Sequence, residues 1–194
     1  MRILITGGAG FIGANAVRRF HAAGWDVSII DDLSRRGSKF NLEWLAGLGV
    51  PHVLHRIDIS DAALVMQHFS TFRYDAVLHL AAQVAVTTSV TDPRRDFEIN
   101  AQGTFNLLEA VRLHNRDAVF INASTNKVYG KLASVRVVEN AERYVFADGY
   151  PGVAESAPLD FYSPYGCSKG IADQYALDYH RIYGLRTVSL RQSC

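Results

Sequence analysis

Cysteine is scarce: only Cys167 and Cys194 occur among 194 residues. Two cysteines cannot build a disulfide framework or supply a four-ligand zinc site. The seven histidines include no pair at metal-ligand spacing with a carboxylate on one helix, so no metal site is expected. Charge of one sign is also lacking. Lys and Arg number 20 and Asp and Glu 19, for a formal net charge of +1. That balance excludes a global basic field for nucleic acid and a block of like charge for a membrane surface. No apolar run is long enough to span a bilayer. The chain starts directly on a strand-like run, Arg2-Ile3-Leu4-Ile5-Thr6, without the basic start, apolar stretch and cleavage site of a secretory signal. A reducing, cytoplasmic location is therefore expected.

What is present is alternation. Short apolar runs at 2–6, 26–30, 52–57, 74–80, 118–122 and 186–191 read as strands. Amphipathic segments at 13–23, 42–48, 62–69, 97–113 and 164–183 read as helices. Strands that alternate with helices imply an α/β fold with a parallel sheet covered on both faces. Six such strands match a Rossmann-type doubly wound sheet occupying 1–194 as one dinucleotide-binding domain. The rhythm breaks at 131–163, a long connection with little periodicity. Connections of that length are usually functional or disordered.

The first strand runs into Thr6-Gly-Gly-Ala-Gly-Phe-Ile-Gly13, which spaces Gly7, Gly10 and Gly13 as G-x-x-G-x-x-G at the start of a helix carrying Phe11 and Ile12. Glycines let the backbone turn sharply and let a pyrophosphate approach, and the helix N-terminus offers free N–H groups. Such a turn also occurs without any ligand, so the second strand matters. It ends in Asp31 and Asp32. A carboxylate roughly 20 residues past the glycines bonds the adenosine ribose hydroxyls and repels a 2′-phosphate, which favours NAD over NADP. Arg35 and Arg36 argue weakly the other way. The third strand leads to Asp58-Ile59. Asp58 there either accepts from the adenine amino group or caps the next helix.

Tyr165 and Lys169 stand at i and i+4 and share one helix face. A neighbouring ammonium stabilises phenolate, which turns tyrosine into a usable acid/base near neutral pH. Ser163 and Pro164 fit the N-cap and first turn of that helix. The fifth strand leads to Ser124, Thr125 and Asn126. Ligands of parallel sheets gather beyond the carboxyl ends of strands, where a hydroxyl can bond a substrate hydroxyl. Taken singly, the tyrosine–lysine pair is also explained as an exposed amphipathic pair, and Ser and Thr as turn formers.

These residues resemble the extended short-chain dehydrogenase/reductases, the NAD-dependent epimerase/dehydratases of nucleotide sugars. The similarity runs over the whole chain and adds Leu80-Ala81-Ala82, Asn100 and the stretch 125–130 to the motifs above. The resemblance implies that Tyr165 is the catalytic base, that Lys169 modulates it and binds ribose, and that Thr125 bonds the reacting hydroxyl. It implies that Asn100 stands behind the active site, with Leu80, Ala81, Ala82 and Ser124 along the cofactor and Thr87, Thr125 and Asn126 toward the substrate. Within the family, Ser124–Gly130, 159–170, Thr87-Thr88-Ser89 and Glu142-Arg143-Tyr144 are similar to the 2-epimerases of CDP-linked deoxyhexoses, which act in lipopolysaccharide O-antigen biosynthesis. A 4-epimerase would use the same groups. A 4,6-dehydratase would need an Asp-Glu pair where Asn126 and Lys127 stand.

The resemblance also implies a homo-oligomer, dimer or tetramer, built on the long helices, although burial within one chain would explain their apolar stripes as well. It implies a C-terminal substrate lobe beyond residue 194, whose absence leads to the expectation that this chain binds NAD but turns over a nucleotide sugar poorly. A non-catalytic NAD-binding domain is the alternative of another class. His79 is expected to pack within its strand. Cys167 is expected to serve small-residue packing rather than nucleophilic chemistry, and Trp25 and Trp44 to pack.

Overall fold

The computed structural model describes residues 1–193; Cys194 lies outside the described residues. Six parallel strands form the main sheet: β1 (Arg2–Thr6), β2 (Asp26–Ile30), β3 (Val53–His55), β4 (Ala76–His79), β5 (Val119–Thr125) and β8 (Arg186–Gln192). Their spatial order is β3-β2-β1-β4-β5-β8. The order reverses between β1 and β4, which opens a crevice at their carboxyl ends. The helices are α1 (Phe11–Ala22), α2 (Ser38–Gly47), α3 (Ala62–Thr71), α4 (Val86–Thr91), α5 (Pro93–Phe97), α6 (Gly103–His114) and α7 (Ser163–Tyr183).

Period-two alternation in β1 divides the core. Ile3 and Ile5 pack with Ala14, Val17 and Leu45 on the α1–α2 side. Leu4 packs with Val65, Phe69, Leu107, Phe120 and Tyr179 on the α3–α6–α7 side. All three β1 residues are fully buried, and each such side chain contributes about 2 kcal/mol. The sheet register carries the Ile5 face through Leu78 and Ile121 to Val188. No helix of the described residues covers that far end, where Val188 is 44% and Leu190 41% exposed. Trp25 packs edge-on against Phe20 beside the core. Trp44 is 39% exposed, beneath the Arg18 guanidinium.

The structure departs from the sequence expectations in four places. The helix expected over 97–113 is broken. Asp92 caps α5 through the Arg95 N–H, a π turn spans Glu98–Gln102, and α6 begins at Gly103. Apolar periodicity runs through such a break, while the wider turn buries Asn100 and lets the Thr104 hydroxyl donate to the Asn100 carbonyl. Helix α4, rich in β-branched residues, was not expected. The 131–163 connection contains a hairpin, β6 (Val137–Glu139) and β7 (Tyr144–Phe146), closed by the Asn140 side chain accepting from Glu142 and Arg143 N–H. Finally, Asp61, not Asp58, caps α3 by accepting from the Leu64 N–H, so the capping role considered for Asp58 falls.

Candidate active site

A cleft of about 1020 Å³ opens at the carboxyl ends of the central strands. At one end lies the glycine loop. Gly7 sits at φ +68, and a Cβ there would come 2.7 Å from the Ala81 nitrogen. A Cβ on Gly13 would stand 2.2 Å from the Gly7 carbonyl oxygen. Both glycines are required by the fold itself. Gly10 differs: the nearest atom to its would-be Cβ is 3.1 Å away, and it faces the cleft with Phe11 and Ile12, which are 80% and 58% exposed. Helix α1 has no side-chain cap and no acid in its first turn. Its unsatisfied N–H groups therefore meet the cleft as a cradle for an anion.

Asp31 and Asp32 form the next wall, together with Ser34, Arg35 and Arg36. The Asp31 carboxylate accepts from the Ala9 N–H at 3.0 Å and the Leu33 N–H at 2.9 Å. Burial pushes its carboxyl above the usual range against the pull of those two donors. Asp32 accepts from the Ser34 N–H and hydroxyl. Asp58 and Ile59 line the same end. Asp58 accepts from Ser60 and, at 2.7 Å, from Arg95. Burial opposes ionisation there, but these bonds hold the carboxyl below its ordinary value.

The opposite end is lined by Leu80, Ala81, Ala82, Ser124, Thr125, Asn126, Tyr165 and Lys169. The cleft thus brings together nearly every residue expected at the site. Tyr165 and Lys169 lie on the inward face of α7 and are 9% and 4% exposed. The Ser163 hydroxyl accepts from the Gly166 N–H at 3.2 Å, the bond of an N-cap, while Ser163 itself sits at φ +71. The Lys169 ammonium donates to the Ala123 carbonyl at 2.6 Å. Burial draws its pKa down to about 8, with Asp173 and Asp96 pulling it back up. The Thr125 hydroxyl accepts from the Lys127 N–H at 3.3 Å.

Two of the residues named from the sequence do not line the cleft. The Asn100 amide donates to the Gln83 carbonyl and the Asp96 carboxylate and accepts from the Gln83 N–H, so it braces the 81–85 loop from behind. Thr87 is exposed on α4 and also lies off the cleft; its helix turns Ser89 inward instead. The fully buried Ser89 hydroxyl accepts from the Tyr165 N–H at 3.1 Å. No role for Ser89, Gln83, Asp96 or Ser168 is legible in the sequence, because their contacts span 13 to 76 residues and leave no local pattern. Cys167 is exposed rather than packed. His79 is buried between the Thr6 and Thr104 hydroxyls at 2.7 and 2.9 Å, and burial keeps it neutral with a pKa drawn down to about 3. Among the described residues no cluster of three His, Cys, Asp or Glu could hold a metal, and no helix is long and apolar enough to cross a membrane.

Residues 4–193 match the family described as GDP-mannose 4,6 dehydratase. CDP-paratose 2-epimerase of Salmonella typhi is 49% identical over the whole of this chain and 57% of its own length. A probable dTDP-glucose 4,6-dehydratase of Sinorhizobium fredii is 36% identical over 97% of this chain and 51% of its own. The crystal structure of Thermus thermophilus UDP-glucose 4-epimerase in complex with NAD superposes with a TM-score of 0.76 at 36% identity, covering 98% of this chain and 54% of that one. The chain thus spans about half the length of the relatives it matches.

Proposed function

The chain belongs to the GDP-mannose 4,6 dehydratase family, and from that premise we propose that it carries the NAD-binding and proton-transfer site of a nucleotide-sugar epimerase. The reading rests above all on one observation: Tyr165 and Lys169 face the same cleft as Gly10 and Asp31. The residues fit NAD. The uncapped start of α1 and the Gly10 backbone, which lines the cleft, suit a pyrophosphate. Asp31 suits ribose hydroxyls. Asp58, with its carboxylate oriented by Ser60 and Arg95, suits the adenine amino group.

NAD bound there supplies a hydride acceptor and returns the hydride, so the reaction has no net redox change. The protein moves the proton. Tyr165 as phenolate takes the proton of the sugar hydroxyl, and Lys169 beside it stabilises that phenolate. Thr125 orients the hydroxyl. Tyr165 returns the proton when the carbinol re-forms on the other face.

The 49% identity favours a CDP-linked deoxyhexose and C2, that is, CDP-paratose and CDP-tyvelose. The second reading, 4-epimerisation, is favoured by the 36% likeness to the Thermus thermophilus enzyme. Dehydration is disfavoured because Asn126 and Lys127 offer no carboxylate pair at the cleft. A reducing cytoplasm suits this chemistry. A second copy would pack on α6 and α7, where Phe105, Tyr175 and Ile182 are 40%, 43% and 66% exposed.

The test is NAD titration of wild type and Tyr165→Phe, followed by turnover of CDP-paratose read by product analysis. Both proteins are expected to bind NAD. Turnover is expected to be low in the wild-type chain and at least a hundredfold lower in the variant. Equal turnover would remove Tyr165 from the mechanism. NAD binding with no turnover in any longer form would leave a non-catalytic NAD-binding domain.

A further inference from the structure

Behind the cleft lies a carboxylate that the mechanism does not use. Asp96, on α5, is fully buried. Its Oδ1 accepts from the Gln83 and Asn100 side-chain amides, each at 3.1 Å, and its Oδ2 from the Ser168 hydroxyl at 2.5 Å. The two amides cannot be turned round. The Asn100 oxygen is held by the Gln83 N–H and the Gln83 oxygen by the Ala85 N–H, so both NH₂ groups must point at Asp96. A carboxyl that meets three donors and no acceptor is built to be ionised.

A buried anion is costly unless a cation answers it. Among the described residues no Arg, Lys or His forms an ion pair with Asp96. Ser168, however, is the residue immediately before Lys169. Lys169 is buried as well, and among the described residues its hydrogen bond is to a neutral carbonyl. The other carboxylate near it, Asp173, is already matched by Arg191 at 2.9 Å. We propose that Asp96 is the counter-charge of the Lys169 ammonium, a positioning residue that keeps the proton on Lys169 and, through Ser168 and Asn100, ties α7 to the 81–85 loop.

The charged and titratable groups around Lys169 are few. Tyr165 and Asp173 share its helix. Asp96 acts on it from α5, at more than the 4.0 Å of a direct ion pair, and His79, neutral, from β4. Arg191 on β8 reaches Asp173. Burial lowers the Lys169 pKa, and Asp173 and Asp96 oppose that fall; burial raises the Asp96 carboxyl, and Lys169 pulls it back. The influence is mutual, as linkage requires. The consequence for catalysis rests on the assignment of Lys169 as partner of Tyr165. The titration that tests the pairing does not.

The experiment uses the chain labelled with ¹³C at lysine Cε and aspartate Cγ and titrated by NMR. The four lysines are Lys39, Lys127, Lys131 and Lys169, and Lys169→Gln identifies the last. In Asp96→Asn the Lys169 midpoint is expected to fall by about one pH unit or more, while the other three stay in place. Asp96→Glu is expected to retain most of the wild-type value. The reciprocal reading uses Lys169→Gln, in which the Asp96 carboxyl midpoint is expected to rise, and it serves also if Asp96→Asn does not fold. An unmoved Asp96 carboxyl in Lys169→Gln, or an unmoved Lys169 in a folded Asp96→Asn, would overturn the proposal. Loss of NAD binding with these shifts intact would instead count against the cofactor reading.

Discussion

At the glycine end of the cleft, the groups that face a ligand are mainly backbone: the N–H groups that open α1 and a turn too tight for a Cβ at Gly7 or Gly13. At the tyrosine end they are side chains, held by other buried side chains: Ser89 on the Tyr165 N–H, Asn100 on Gln83, Asp96 on Ser168. The first end is fixed by backbone sterics, at Gly13 within the loop itself and at Gly7 against Ala81. The second depends on hydrogen bonds between segments far apart in the chain, in a medium where an unmatched polar group costs about 1–3 kcal/mol. Substitution should therefore break the two ends in different ways.

The largest effect is expected at the glycine end. Gly13→Ala puts a methyl 2.2 Å from the Gly7 carbonyl oxygen and 2.6 Å from the Gly8 Cα. Backbone cannot yield as a flexible side chain can, so a loss of about 3 kcal/mol is expected, together with loss of NAD binding. Urea denaturation and an NAD titration check both. Gly10→Ala puts a methyl 3.1 Å from the Gly7 carbonyl oxygen, a contact that a small backbone shift relieves, so it is expected to cost clearly less stability than Gly13→Ala while weakening NAD. If the two variants behave alike, the division of labour among the glycines is wrong.

Acid should act on the side-chain core and spare the glycine loop. His79, drawn down to about 3, and His68, drawn down to about 4 by burial, are neutral in the native state. The unfolded chain takes up their protons first as pH falls below about 6.5. Stability is therefore full above that value and is lost as pH falls from there toward 4, by about 1.4 kcal/mol per pH unit for each histidine. Denaturation curves between pH 7.5 and 5 in wild type and His79→Gln test this; the variant is expected to show the shallower slope.

The smallest effect is expected from Ser89→Ala. It strands the Tyr165 N–H at a cost of about 1 kcal/mol, lowers turnover and leaves NAD affinity unchanged, because the glycine end is untouched. A parallel fall in NAD affinity would show that the two ends are mechanically coupled.

The same contrast explains what could be read in advance. Alternating apolar runs made the six strands and their parallel order legible, and the Gly7–Gly13 spacing with Asp31 marked the anion cradle, because these features are local. The Tyr165–Lys169 pair was legible through its helical spacing. The π turn was not, since apolar periodicity passes through it from α5 into α6. The inward turn of Ser89 was not legible either, because sequence alone does not say which face α4 buries. The roles of Asp96 and Gln83 emerge only when α5, α7 and the 81–85 loop are brought together. The bare face at Val188 and Leu190 was equally invisible, because alternation marks these residues as apolar without saying what covers them.

The central claim is that one cleft holds a dinucleotide at Gly10 and Asp31 with its nicotinamide against Tyr165. The most direct test is a nuclear Overhauser measurement on the NAD-loaded chain with labelled tyrosines. Cross-peaks between nicotinamide protons and the Tyr165 ring, absent in Tyr165→Phe, are the predicted result. NAD bound tightly with its nicotinamide remote from Tyr165 would contradict the account.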